Sequence, residues 1–577
     1  MSELGFFGQI RDIRKLFEGK TFRVPDYQRT YAWELEQVKD FWNDIREAMI
    51  TSTKHYWGTI TLRFTGECKY HEGTATRFEI FEVVDGQQRI TTIYLFLLAL
   101  SKWRPAIRDN FIKCGEIYRL ELGGLNNQFL KDLVDGKDPQ PDFKTNRLLK
   151  TTLGFFENEL KYYTDPSKID LSTVFVHLQY ETFSLEFGVQ DKTLAIKAFQ
   201  SLNDRGKPLT LLDKAKSFLM FYSSRYLNND LMSTINTVFG NALTSYDIIR
   251  GIGESEEINY ISGRQFSEDE LLRFFYHYFA LYARNKYQLP LAYDYDITGE
   301  EVFKQFLKMS CEHLKNDSNS LKSFIGEFLG SFNNFVEAFK NIISRVQTNC
   351  QYKKLFSFLG LNARLYPLII SLECEKILNQ QMLNIIESVD IRIYKIRGTD
   401  PRAKLYNDAI SQIKINPNAE EIYKAMIDFR DSFMWDDNFR SYLSQQLYGI
   451  PAVKYILWEL EKNQTPHFND CDHGFYKDLQ IDHILPQVPT FSFPAFDFED
   501  MIKYYSEVDK IGNLTLLEEK INKKIGNTTP QNKINEYLSS NVPETKRLGS
   551  YISNIGFNKK DIADRTKAIL DFCVKRW

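Results

Sequence analysis

Two hydrophobic rhythms run along the chain. "LEQVKDFWNDIREAMI" (35–50) places apolar residues three and four apart, the mark of a helix with one buried face. "YWGTITLRF" (56–64) and "TRFEIFEVV" (76–84) alternate with period two and predict strands, joined by the turn-rich "TGECKYHEGTA". "RITTIYLFLLALSKW" (89–103) is apolar almost all round and predicts a buried helix. The stretch "TFRVPDYQRTYAWE" reads as extended around Pro25. From about 100 to 450 the helical rhythm dominates, in segments such as "TLLDKAKSFLMFYSSRYL" and "EDELLRFFYHYFALYARNKY", with no fixed-period repeat. Past 464 the texture turns rich in Pro, Asp and His, with short strand-like runs "DLQIDHIL" and "GNLTLL" leading into polar, lysine-rich sequence. The pattern predicts an α+β, predominantly α-helical protein. Its expected parts are an α+β core over 1–100, a helical region over 101–390, and helices plus a compact C-terminal domain over 391–577, centred on 478–540.

Composition adds bounds. The chain has 577 residues, 43% hydrophobic and 26% charged, as a globular protein with sizeable cores requires. Aromatics reach 15%, too many to be mostly ligand platforms. The net charge of −3 gives no overall signal for nucleic acid, so any polyanion site must be a local patch. Residues 510–577 supply one, with thirteen Lys/Arg against seven Asp/Glu. Seven scattered cysteines without a CxxC pair predict free thiols in a reducing compartment, hence a cytoplasmic protein without a disulfide framework. The opening "MSELGFFGQIRDIRKLFEGK" is charged and amphipathic, unlike a signal peptide, and no apolar run is long enough to span a membrane.

The C-terminal texture carries chemistry. "IDHILPQ" sets Asp482 beside His483, with Asn513 in "IGNLTLL" and Asn522 in "EEKINKK" downstream. This resembles an HNH, or ββα-metal, nuclease, in which a strand–loop–strand–helix unit gathers a base and one divalent cation around a phosphate. The resemblance makes His483 the general base, Asn513 the residue that orients it, and Asp482 and Asn522 the ligands of Mg²⁺ or Mn²⁺. Oxygen donors suit those ions, and no thiolate set for zinc is present. An Asn stands where the usual third histidine would be, which leaves the second ligand in doubt. Asn527, Lys533, Lys523 and Lys524 are expected at DNA phosphates. His473 in "CDHGF" is a candidate supporting partner, and His277 reads as a buried core histidine.

A second constellation lies near the other end. Asp85-Gly86-Gln87-Gln88-Arg89 sits at a strand-to-helix seam, Tyr27-Gln28-Arg29 follows an extended proline segment, and Asn203, Arg205, Gly206 and Lys207 precede a helix capped near Thr210. Amides and guanidinium groups beside Gly or a helix start suit an anion. There is no GxxxxGK[ST], so this is not a P-loop. Together, "PDYQRTYAWE", "WGTI", "VVDGQQRITTI", "FQSLNDRGKPLTLLDKAKSFL" and "DHILPQ…GNLTLL…N" resemble the GmrSD-type family of type IV restriction and phage-defence nucleases. That likeness implies a ParB/sulfiredoxin-like N-terminal domain binding a nucleoside triphosphate, with Tyr27, Gln28, Arg29, Asp85, Gly86, Gln87, Gln88, Arg89, Asn203, Arg205 and Lys207 at the nucleotide. It also implies an HNH-like C-terminal domain that cuts or nicks modified phage DNA, with the helical middle coupling the two. A homodimer is compatible, because cutting both strands with one-site nucleases usually needs two copies. The alternatives are a nucleotide- or DNA-sensing module with a degenerate nuclease end, and a nuclease toxin acting on RNA.

Overall fold

The computed structural model describes residues 6–577, apart from 26, 27, 29, 124–125, 142–143, 163–170, 190–209 and 490. Helices dominate, with one mixed sheet and two two-stranded ladders among the described residues. The chain forms two compact units, one made of Met1–Ile248 and Gly299–Asn333 and the other of Ile249–Thr298 and Asn334–Trp577.

The first unit holds the six-stranded sheet. Its strands are β1 (Phe6–Asp12), β2 (Lys20–Arg23), β3 (His55–His71), β4 (Thr76–Asp85), β5 (Leu120–Glu121) and β6 (Thr182–Val189), in spatial order β1-β6-β3-β4-β2-β5. β3 and β4 run antiparallel, and β2 lies parallel to β4. The stretch 65–75, expected as a loop, instead mostly continues β3 to His71. A register shift between Phe64 and Cys68, where Gly66 takes φ +85°, absorbs the turn residues as a bulge. Helices α1 (Leu35–Ile50), α2 (Gln87–Ser101) and α3 (Lys144–Lys161) cover the sheet. α2 is apolar on every side because it is enclosed on every side: Ile90 and Ile93 through Leu100 are buried. Phe96 on α2 meets Phe156 on α3 edge-on at 5.0 Å and Trp42 on α1 at 5.3 Å.

The second unit is helical around one small ladder. Its first long helix is α4 (Asp269–Tyr287). It carries His277, fully buried, with Nδ1 3.0 Å from the Tyr293 hydroxyl. Cys350 and Cys471 are joined in a disulfide with Cα atoms 5.4 Å apart, which corrects the expectation of free thiols for this pair. Their 121-residue separation hid a spatial contact that spacing alone cannot show. Asp470 lies beside this bond, but sulfurs joined in a disulfide are no thiolate ligands, so the three side chains do not make an ion site. No described helix is long and apolar enough to cross a membrane.

The ladder pairs β7 (Leu479–His483) antiparallel with β8 (Leu514–Glu518). Around it stand α5 (Ala452–Gln464), α6 (His473–Asp478), α7 (Glu519–Ile525), α8 (Pro530–Ser539), α9 (Pro543–Asn554) and α10 (Lys559–Arg576). The order β7–β8–α7 is the strand–strand–helix arrangement expected from the motif. His473, at the start of α6, packs its ring on Phe358 and Tyr476 instead of joining the ladder's polar groups. Gly512, just before β8, donates its N–H to Thr566 Oγ1 of α10 at 3.2 Å. A Cβ there would lie 2.1 Å from the Ile562 carbonyl oxygen, so α10 touches bare backbone. Gly512→Ala is expected to cost about 1–3 kcal/mol or more through forced separation of α10, read as a lowered midpoint in chemical denaturation.

Candidate functional site

Strand geometry sorts the C-terminal residues onto two faces. Side chains alternate along β7, so Gln480 and Asp482 share one face while His483 turns to the other. Neighbours in sequence therefore reach different surroundings.

On the first face, Asp482 is buried against α8. Both carboxylate oxygens accept from Lys533 Nζ at 3.0 Å, and Oδ2 also accepts from the Tyr537 hydroxyl. Lys533 donates in addition to the His483 carbonyl oxygen. Burial lowers the Lys533 ammonium from its ordinary value and the adjacent carboxylate opposes that shift. Burial and the same carboxylate both hold the Tyr537 phenol far above its usual range. Asn522, on α7, turns its amide N–H to Gln480 Oε1 at 3.0 Å. Lys533, expected at a DNA phosphate, is thus 1% exposed and committed inward. Lys523, Lys524 and Asn527 are exposed, and the two lysines pair with Glu519 and Glu536.

On the second face, His483 Nε2 lies 2.8 Å from Asp509 Oδ1. The Tyr448 ring meets the imidazole edge-on at 4.3 Å. Gln487 Nε2 donates to the same Asp509 oxygen at 3.1 Å. Burial pushes His483 below the ordinary histidine value, and the Asp509 bond opposes it only in part. Burial thus favours the neutral ring, the form a base needs.

Asn513 joins the two loops that flank the ladder. It is fully buried; Oδ1 accepts from the Leu485 N–H at 2.8 Å, and Nδ2 donates to the carbonyls of Leu485 at 2.9 Å and Val508 at 2.7 Å. The Ile484 N–H donates to the Asn513 carbonyl at 2.8 Å. Asn513 acts on the backbone after His483, and the residue touching the ring is Asp509. Sequence reasoning missed Asp509, Tyr448 and Tyr537, because none sits in a recognisable spacing, and gave no role to Gln487, which closes the quoted "IDHILPQ" stretch. The nearest signal was Asp509 four residues before Asn513.

In the first unit, the DGQQR seam is built as a strand-to-helix turn. Asp85 ends β4, and Gly86 caps α2 at φ +87°. A Cβ on Gly86 would fall 2.4 Å from Ile60 Cδ1 and 3.0 Å from the Thr59 carbonyl oxygen, so both conformation and space require glycine. The glutamines face inward. Gln88 accepts from the Ala32 N–H at 2.8 Å and donates to the Thr30 carbonyl at 3.0 Å, while Gln87 reaches that carbonyl at 3.5 Å. Gln28 donates to the Val83 carbonyl. These amides tie Gln28, Thr30 and Ala32 to the seam. Arg89 is half-buried, donates from Nη1 to the Thr59 carbonyl at 3.0 Å, and lies across Gly58. Tyr27, Arg29, Asn203, Arg205, Gly206 and Lys207 lie outside the described residues.

Comparison with known families agrees with this two-part layout. Residues 13–220 match the GmrSD restriction endonuclease N-terminal domain, and residues 427–572 match the GmrSD restriction endonuclease C-terminal domain. Two halves of one kind of enzyme in one chain make this a restriction endonuclease of the phage-defence type. The chain belongs to the GmrSD family. No curated protein matches it.

The Asp482–Lys533 pair is open to a direct test. Lys533→Met strands a buried carboxylate and is expected to cost about 3–5 kcal/mol. Adding Asp482→Asn should restore part of that loss in a double-mutant cycle of denaturation midpoints. A single variant as stable as wild type would show the pair is not closed as described.

Proposed function

We propose that the protein is a DNA endonuclease or nickase of bacterial antiphage defence that restricts modified DNA, with His483 as the base that activates water. The observation that carries this reading is the buried imidazole of His483 on the strand–strand–helix unit, hydrogen-bonded to Asp509, within a region matched by a restriction endonuclease domain. Water gives a proton to the imidazole, and the resulting hydroxide attacks the phosphodiester phosphorus. The P–O bond to the leaving sugar oxygen breaks, and that oxygen takes a proton from solvent.

The family suggests use of a divalent metal, and Asp482 and Asn522 were expected to hold it. Their oxygens are of the right chemistry for Mg²⁺ or Mn²⁺. Their placement does not fit: Lys533 already neutralises both Asp482 oxygens, and Asn522 is directed to Gln480. A cation at Asp482 requires Lys533 to leave. This same pair is what favours the rival reading of a sensing module with a degenerate nuclease end.

The N-terminal unit is proposed to bind a nucleoside triphosphate that regulates cleavage. Support comes from the matched N-terminal family domain and from Arg89 at the start of the DGQQR helix, whose guanidinium, among the described residues, donates to the Thr59 carbonyl. Gln28, Gln87 and Gln88 then act by shaping the seam, with Asp85 and Gly86 delivering it to the start of α2.

His483→Ala should lower cleavage of phage DNA by about 10²–10⁴-fold. Because burial lowers the imidazole pKa, the neutral base persists as pH falls through 6.5. The acid limb of the rate profile should therefore fall below that value. A wild type that cleaves no DNA from a panel of modified phages, with or without nucleotides, would favour the degenerate reading. Calorimetry should show triphosphate binding that Arg89→Ala weakens, and unchanged binding would remove the nucleotide assignment.

A further inference from the structure

We infer that Asp509 is a positioning residue that decides which ring nitrogen of His483 is the base. The inference rests on the reading of His483 as the base and adds the identity of the reacting atom.

The argument begins with the 2.8 Å contact between Asp509 Oδ1 and His483 Nε2. A carboxylate can only accept a hydrogen bond, so Nε2 carries the hydrogen when the ring is neutral. The lone pair then belongs to Nδ1. Among the described residues no protein group is hydrogen-bonded to Nδ1, so this nitrogen is left for water. In the reaction, the water proton moves to Nδ1 and the ring becomes an imidazolium whose Nε2–H still faces Asp509.

Asp509 is itself held in place. Gln487 Nε2 donates to its Oδ1 at 3.1 Å, and its backbone carbonyl accepts from the N–H groups of Leu447 at 2.9 Å and Tyr448 at 3.3 Å. The Tyr448 ring also packs edge-on against the imidazole at 4.3 Å. The carboxylate thus fixes both the tautomer and the orientation of the ring.

The test is Asp509→Asn in the full-length protein. The amide can donate to Nε2 and so favours the Nδ1–H tautomer, which removes the reacting lone pair. Expected are a fall in kcat of about 10²–10⁴-fold on genomic DNA from a phage that the wild type cleaves, with KM unchanged. ¹⁵N spectra of the histidine rings, with His483 assigned by the His483→Ala variant, should show Nε2–H in the wild type and a shift toward Nδ1–H in Asp509→Asn. Asp509→Glu should keep the Nε2–H pattern and rescue part of kcat. The wild-type spectrum alone decides if the Asn variant does not fold: an Nδ1–H tautomer there overturns the inference. So does Asp509→Asn with wild-type kcat. If His483→Ala still cleaves, the base reading fails; if it is dead while Asp509→Asn is normal, only the role of Asp509 fails.

Discussion

The geometry of the C-terminal site hangs on the side chain of Asn513. One amide with no solvent contact spans two loops, binding both backbone groups of Leu485 and the carbonyl of Val508. The first loop follows His483, and the second leads to Asp509. This clamp works together with Gln487 and the Leu447 and Tyr448 N–H groups to bring an imidazole at the end of β7 to a carboxylate 26 residues later. Without it three buried backbone groups would lose their partner, each worth about 1–3 kcal/mol. An apolar side chain of the same size could fill the space but not hold the loops.

Other contacts support the clamp from behind. Gly512 lets α10 lie against the backbone one residue before Asn513. The Asp482–Lys533–Tyr537 group fastens α8 to the far face of β7 and takes up the His483 carbonyl oxygen as well. The two faces of a five-residue strand are thereby fixed independently, one by a buried ion pair and one by an imidazole–carboxylate pair. Period-two alternation separates these chemistries, so the "DH" pair does not act as one unit.

Much of the fold was legible because it rests on local periodicity. Helices α1 and α2 and strand β4 follow from apolar spacing, while the β7–β8–α7 order was expected only from the resemblance to a nuclease motif. His483 and Asn513 were singled out by the resemblance to a nuclease motif, and the fold places Asn513 on the backbone that follows His483. What escaped was long-range. The partners of His483 and Asp482 include Asp509 and Tyr537, which no pattern marks, and Lys533, which was expected at DNA and not at Asp482; the Cys350–Cys471 bond closes 121 residues. The glutamines of the DGQQR seam were read as recognition groups because amides suit ligands; in the fold their nearest acceptors and donors are the protein's own backbone. The bulge in β3 was missed because glycine and charged residues in "TGECKYHEG" signal a turn, whereas cross-strand pairing with β4 kept most of the segment extended.

The most direct test of this account is the single-turnover rate at which Asn513→Ala cleaves phage DNA, with DNA affinity measured on the same sample. If the clamp presents His483 for the cut, cleavage falls at least about 10²-fold while DNA still binds. A variant that folds, binds and cleaves at the wild-type rate would contradict it.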